Sequence, residues 1–257
     1  MKPPVRLIAR LDIKGQNVVK GIHLEGLRIV GQPGQLARDY YNDGVDEIIY
    51  MDTVASLYGR NNILPVIENA AREIFVPMTV GGGVRTIEDI VGALRAGADK
   101  VAVNTAAIAR PAFLKEAANA FGSQCIVLSV EAKRRGPGQW EALTDNGRER
   151  SGVNVLQWVE EAESLGVGEI LVTSVDAEGT RRGFDHELFS AVRQKVNVPL
   201  IGCGGAGEAA HVIEAIRSDG LDAVACASLF HYAQLPVPAL KLALAAAEIP
   251  IRPVAEQ

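Results

Sequence analysis

The chain has 257 residues, with 26 lysines and arginines against 31 aspartates and glutamates, a formal net charge of −5. That balance argues against a nucleic-acid binder, which carries a basic excess. The N-terminus runs into an apolar strand pattern within a few residues, and the apolar tail from Leu235 to Ile251 is broken by prolines, Lys241 and Glu248. We therefore expect neither a signal peptide nor a membrane span, and a cytoplasmic location.

The first strand is expected over Val5–Asp12, continuously apolar as in a strand covered on both faces, with Arg6 near its start and Asp12 at its end. Ile13 to Gly31 reads as a loop with Lys14, Gly15, Lys20, Gly21, His23 and Glu25, too long for an ordinary connection and so able to close over a substrate. Lys20 is either a phosphate contact on closure or a solvated lysine, and His23 is a polar loop residue. A helix follows over Gln35–Gly44, a strand over Asp46–Asp52, a polar loop over Thr53–Asn62 and a helix over Leu64–Phe75. Thr79-Val80-Gly81-Gly82-Gly83-Val84 is a short buried strand that ends in three glycines and opens into a helix over Ile87–Ala96. Such a junction suits an anion: glycines let a ligand approach the backbone, and the next helix supplies N–H donors and a positive dipole end. The fourth strand, Asp99–Val103, delivers Asn104 and Thr105 to the same place as Gly83, and a helix over Pro111–Phe121 closes the first half.

The second half opens with a strand over Gln124–Glu131, then Lys133, Arg134 and Arg135 at the base of a hairpin that turns at Gly136-Pro137-Gly138. A helix over Val155–Leu165, a strand over Glu169–Ser174 and a polar loop over Asp176–Thr180 come next. The order continues as helix Asp185–Lys195, strand Val198–Cys203, helix Ala209–Ser218, strand Asp222–Ala227 and helix Val237–Ala247. Cys125, Cys203 and Cys226 lie in apolar strand patterns without C-x-x-C spacing or a histidine cluster. They read as buried small hydrophobes in a reducing compartment.

The glycine junction recurs about 120 residues on, as Ile201-Gly202-Cys203-Gly204-Gly205-Ala206-Gly207. Asp99–Ala106 repeats as Asp222–Leu229, Asp46–Asp52 as Gly168–Ser174, and Leu7–Asp12 as Ile126–Glu131. Four strand–helix units in each half imply one (β/α)8 TIM barrel domain over 1–257, with internal half-barrel pseudo-repeats of about 1–122 and 123–257. Carboxyl ends of barrel strands carry the active site, so Asp12 is a candidate catalytic group and Arg6 a floor residue. Two cradles on one rim imply a ligand with a phosphate at each end. Asp12 and Glu131, ending strands one and five, stand opposite each other as a candidate acid and base.

Leu11-Asp12-Ile13-Lys14, Val18-Val19-Lys20-Gly21, the Thr79–Gly83 and Ala98–Ala107 runs, Gly168–Ser174 and Gly204–Gly207 together resemble the HisF family, the cyclase subunit of imidazole glycerol phosphate synthase, over nearly the whole chain. The resemblance implies an enzyme of the lyase class in histidine biosynthesis, needing no metal or organic cofactor. A glutaminase partner, HisH-like, would dock as a heterodimer on the amino-terminal barrel face and deliver ammonia. Ammonia and a bisphosphate ribulosyl-formimino aminoimidazole carboxamide nucleotide would give imidazole glycerol phosphate and aminoimidazole carboxamide ribotide. By the same resemblance Asp12 and Glu131 are catalytic. Gly83, Asn104 and Thr105 hold one phosphate, while Gly179, Gly204, Gly205, Ala227 and Ser228 hold the other. Thr173 and Lys20 belong to the same substrate-binding set. Arg6, Glu47, Lys100 and Glu169 form an ammonia gate.

The departures from the family lie in the chemistry: Glu131 and Glu178 replace aspartates, Cys203 replaces a serine, and Arg10 replaces a cysteine beside the catalytic strand end. Those edits keep three other readings in view. One is a paralogue channelling ammonia for sugar amidation in surface-polysaccharide synthesis. Another is a catalytically silent ammonia-conducting partner. A third is a sugar-phosphate isomerase of the related barrel, against which the charged quartet weighs.

Overall fold

In a computed structural model of the chain, which describes residues 3–55 and 63–253, the apolar runs become parallel strands buried on both faces. They are β1 (Arg6–Lys14), then, past a hairpin of β2 (Asn17–Ile22) and β3 (Glu25–Gly31), β4 (Glu47–Asp52), β5 (Met78–Gly81) and β6 (Lys100–Val103). The second half contributes β7 (Ile126–Gly136), a sub-sheet of β8 (Gln139–Thr144) and β9 (Glu149–Asn154), then β10 (Glu169–Ser174), β11 (Leu200–Cys203) and β12 (Ala223–Cys226). The parallel ladder runs β1, β4, β5, β6, β7, β10, β11, β12 and returns to β1, which closes an eight-stranded (β/α)8 barrel. Residues 56–62 of the polar loop expected over Thr53–Asn62 lie outside the described residues.

The pleat sorts the core into two shells. Odd-numbered Leu7, Ala9 and Leu11 of β1 pack outward with the helix faces, among them Phe113, Trp158, Phe189 and Leu240. Even-numbered Ile8 points inward with Ile49, Met51, Ala102, Val127, Leu171, Ile201, Cys203, Ala223 and Ala225. The same parity carries Arg6, Arg10 and Asp12 inward, with Ile8 between the first two, in order from floor to mouth.

Several elements differ from their expected extents. Ile13–Gly31 is an antiparallel hairpin rather than a loop: Ile13 and Lys14 pair with Val18 and Asn17, and Val18 and Val19 are buried. Its turn is made by His23 and Leu24 with φ of 55° and 63°, residues that do not advertise a left-handed turn. β7 continues past Glu131 to Gly136, and β9 is an unexpected third strand, because backbone pairing to β8 holds its polar residues. The helix from Leu64 stops at Ala70, after which buried Ile74 and Val76 lead the chain back to the barrel. Cys125 lies half-buried in the 3-10 turn before β7, while Cys203 and Cys226 are buried in strands. Among the described residues no helix is long and apolar enough to cross a membrane.

Candidate functional site

Asp12 and Glu131 end inward-facing positions on β1 and β7, four strands apart around the barrel in either direction. Both are buried, at 4% and 3% exposure. Their surroundings separate them chemically. Burial would raise the Asp12 carboxyl, but the Arg10 and Lys20 cations together outweigh this and hold Asp12 below the usual carboxylate range. Burial pushes Glu131 up to about 7; the Arg10 cation opposes this only in part, and the Asp12 charge adds to it. Near neutral pH the pair therefore holds one ionised carboxylate and one carboxyl poised to exchange a proton.

Arg10 entered the sequence reading only as the replacement for a cysteine beside the strand end. Its Nε donates to Asp12 Oδ1 at 2.9 Å, and Nη1 donates to Thr173 Oγ1 at 2.8 Å and to Cys203 Sγ at 3.6 Å. Thr173, expected on the substrate, is thus a ligand of the guanidinium. Glu131 Oε2 accepts from Asn104 Nδ2, which also donates to the Leu143 carbonyl at 2.9 Å.

The residues expected at the two phosphate sites line two separate cavities. Gly83, Asn104 and Thr105 line one cavity together with Gly82, Asp52, Ser129, Glu131 and Asn146. The helix after the triple glycine is already capped, however: Thr86 accepts from Asp89 N–H, and Asp89 accepts from the Arg85 and Thr86 amides. Thr105 and Ala106, at the start of the short helix Thr105–Ala109, line the same cavity, and the N-cap Asn104 makes no side-chain cap bond. Gly179, Gly204, Gly205, Ala227 and Ser228 line the second cavity with Lys20, Glu178 and Cys203. Glycine is obligatory in both walls. Gly82 (φ 90°) and Gly205 (φ 106°) would put a Cβ 2.1 Å from the Asp52 carbonyl oxygen and 1.9 Å from that of Gly183.

Lys20 is neither solvated nor free: its Nζ is paired with buried Glu178, and burial lowers its pKa. Glu178 also accepts from the Leu24 amide at 3.0 Å, and its carbonyl accepts from the His23 amide at 3.0 Å. His23 Nδ1 meets the Val175 carbonyl at 2.8 Å. These bonds dock the β2–β3 hairpin over the second cavity. Ser129 and Asn146 escaped the sequence reading; the Asp145-Asn146-Gly147 turn, with positive φ at all three, was the available signal.

At the opposite end Arg6 pairs with Glu47 at 2.7 Å and Glu169 at 2.5 Å, and Lys100 pairs with the same two carboxylates at 3.0 and 2.8 Å. Four side chains from strand amino ends thus close a ring of alternating sign. Beneath it lies a cavity with apolar walls that include Pro3, Pro4, Val5, Pro199, Ile251 and Pro253.

Residues 6–236 match the family model described as histidine biosynthesis protein. The chain is similar to the imidazole glycerol phosphate synthase subunit HisF of Legionella pneumophila, with 57% identity over 204 residues, 79% of this chain and 96% of that protein. It is also similar to the subunit of the same name from Mycobacteroides abscessus, with 48% identity over 258 residues, 98% of this chain and 100% of that protein.

Proposed function

Because this chain belongs to the histidine biosynthesis protein family, as a HisF subunit of imidazole glycerol phosphate synthase, we propose that its mouth joins ammonia to a bisphosphate ribulosyl-formimino aminoimidazole carboxamide nucleotide. The chain is an enzyme subunit of the lyase class; the sugar-amidation reading has no support in the names of its relatives. The observation that carries the site assignment is the carboxyl pair of opposite proton affinity set between two glycine-walled cavities. Asp12, ionised, is the base, and Glu131, with a pKa of about 7, is the acid. Gly83, Asn104 and Thr105 receive one phosphate; Gly179, Gly204, Gly205, Ala227 and Ser228 receive the other, with Lys20 beside it.

The floor is the entry. A glutaminase partner docks against the amino-terminal face, and ammonia passes the ring of Arg6, Glu47, Lys100 and Glu169. It then rises through an apolar layer of Ile8, Ile49, Val127, Leu171, Ile201 and Ala223, which favours a neutral molecule over a free ion. The paired ring has to open for this, and Lys100, on a flexible stem, is its moving member. The work takes place in the cytoplasm.

Turnover of the bisphosphate nucleotide with ammonium, without any partner, tests the assignment. The parent is expected to turn over at ordinary enzyme rates and Asp12→Asn to lose activity by a hundredfold or more. Asp12→Asn retaining parental turnover, or an inactive parent, would refute it.

A further inference from the structure

The layer between floor and mouth contains a cation that the scheme above does not use. Arg10 is 2% exposed, and parity places it above Ile8 and below Asp12. From β1 its side chain passes β12 and β11 to reach Thr173 on β10, spanning part of the barrel bore. Three bonds fix the guanidinium plane: Nε to Asp12, Nη1 to Thr173, and Nη1 to Cys203. A guanidinium has five N–H donors, and the two on Nη2 are the remainder. Nη2 is buried and makes no hydrogen bond. The guanidinium bonds Asp12 through Nε and Thr173 through Nη1, Thr173 lies opposite Glu131 in the β10–β7 register, and the cation feels the charge of both carboxyls, so the group that carries the idle donor lies beside the pair. A buried cationic N–H without an acceptor is costly, and a fixed donor aimed where an oxygen gains charge repays that cost in the reaction.

We infer that Arg10 is a catalytic residue whose Nη2–H donates to the ketone oxygen of the bound ribulosyl group, stabilising the negative charge that gathers there when ammonia adds. This rests on the cyclase reading. The nitrogen lone pair forms the C–N bond, and the C=O π pair moves onto oxygen opposite Nη2. Glu131 gives that oxygen its proton, and Asp12 takes one proton from the new ammonium nitrogen. The product is the neutral carbinolamine; Glu131 has lost one proton and Asp12 has gained one.

The test has two arms. Isotope-edited infrared difference spectra of substrate bound to the parent, with no ammonium present, should show the ketone stretch moved to lower frequency, and the shift should vanish in Arg10→Gln. Ammonium-dependent kcat should fall about a hundredfold or more in Arg10→Gln and about tenfold in Arg10→Lys, which keeps a cation beside Asp12 but loses the planar fork; KM should stay within about threefold in both. An unshifted ketone stretch in the parent would overturn the inference whether or not the variants fold. So would parental kcat in either folded variant. A parent that binds the substrate but never turns it over with ammonium would instead bring down the cyclase reading itself.

Discussion

Replacing Glu131 by glutamine should make the protein more stable as it makes it inactive. Glu131 is fully enclosed, and its carboxyl is moved from the ordinary 4.5 to about 7, first by burial and further by the Asp12 charge, against the pull of Arg10. At about 1.4 kcal/mol per tenfold change in proton affinity, the ionised form costs the fold about 3 kcal/mol. The sign follows from proton counting. Below pH 4.5 both the folded and the unfolded chain hold the proton, and Glu131 contributes no difference. Between 4.5 and about 7 the folded chain holds a proton that the unfolded chain has released, so stability falls as pH rises; above 7 the full cost is present. Glutamine keeps an oxygen to accept from Asn104 Nδ2 and never ionises. The expected advantage of Glu131→Gln over the parent is therefore under about 1 kcal/mol at pH 5 and about 3 kcal/mol at pH 8. Chemical denaturation at both pH values measures it, and thermal scans should show a gain of about 2–4 °C per kcal/mol at pH 8. An advantage of equal size at the two pH values, or none at pH 8, would refute the assignment of a proton-binding carboxyl to this position.

Lys100→Ala leaves Glu47 and Glu169, each 5% exposed, to share Arg6 alone; glutamine-driven turnover with a partner should change at least tenfold while ammonium-driven turnover stays within about threefold, and equal loss of both would mark the ring as structural. Gly205→Ala forces a Cβ to 1.9 Å from the Gly183 carbonyl oxygen; it should cost roughly 2 kcal/mol or more and abolish phosphate binding at the second cavity while the Gly83 cavity still binds, as titration with inorganic phosphate would report. Glu131→Asp, a conservative change that withdraws the carboxyl by about one methylene, should alter kcat at least tenfold in either direction with KM little changed, since placement to about 1 Å governs the rate.

Much of this protein was written in local pattern. Unbroken apolar strands, recurring glycine junctions and charged residues at strand amino ends specify an eight-stranded barrel with a mouth and a floor, because a closed parallel sheet demands just that burial on both faces. The hairpin β2–β3 and strand β9 escaped that reading, since their turns and edges are held by backbone pairing that leaves little compositional trace. Only the tertiary structure decided how charge is shared. Asp12 and Glu131 are both carboxyls near the ends of their strands, and although Arg10 precedes Asp12 by two residues, sequence spacing alone does not say which carboxyl its side chain will meet. Both are equally buried, so what separates them is the charge around them: the Arg10 guanidinium bonds Asp12 at 2.9 Å and is held across the barrel by Thr173, 163 residues away. Proton affinity depends on that three-dimensional field, so the division into one ionised and one protonated carboxyl arises only when the barrel closes.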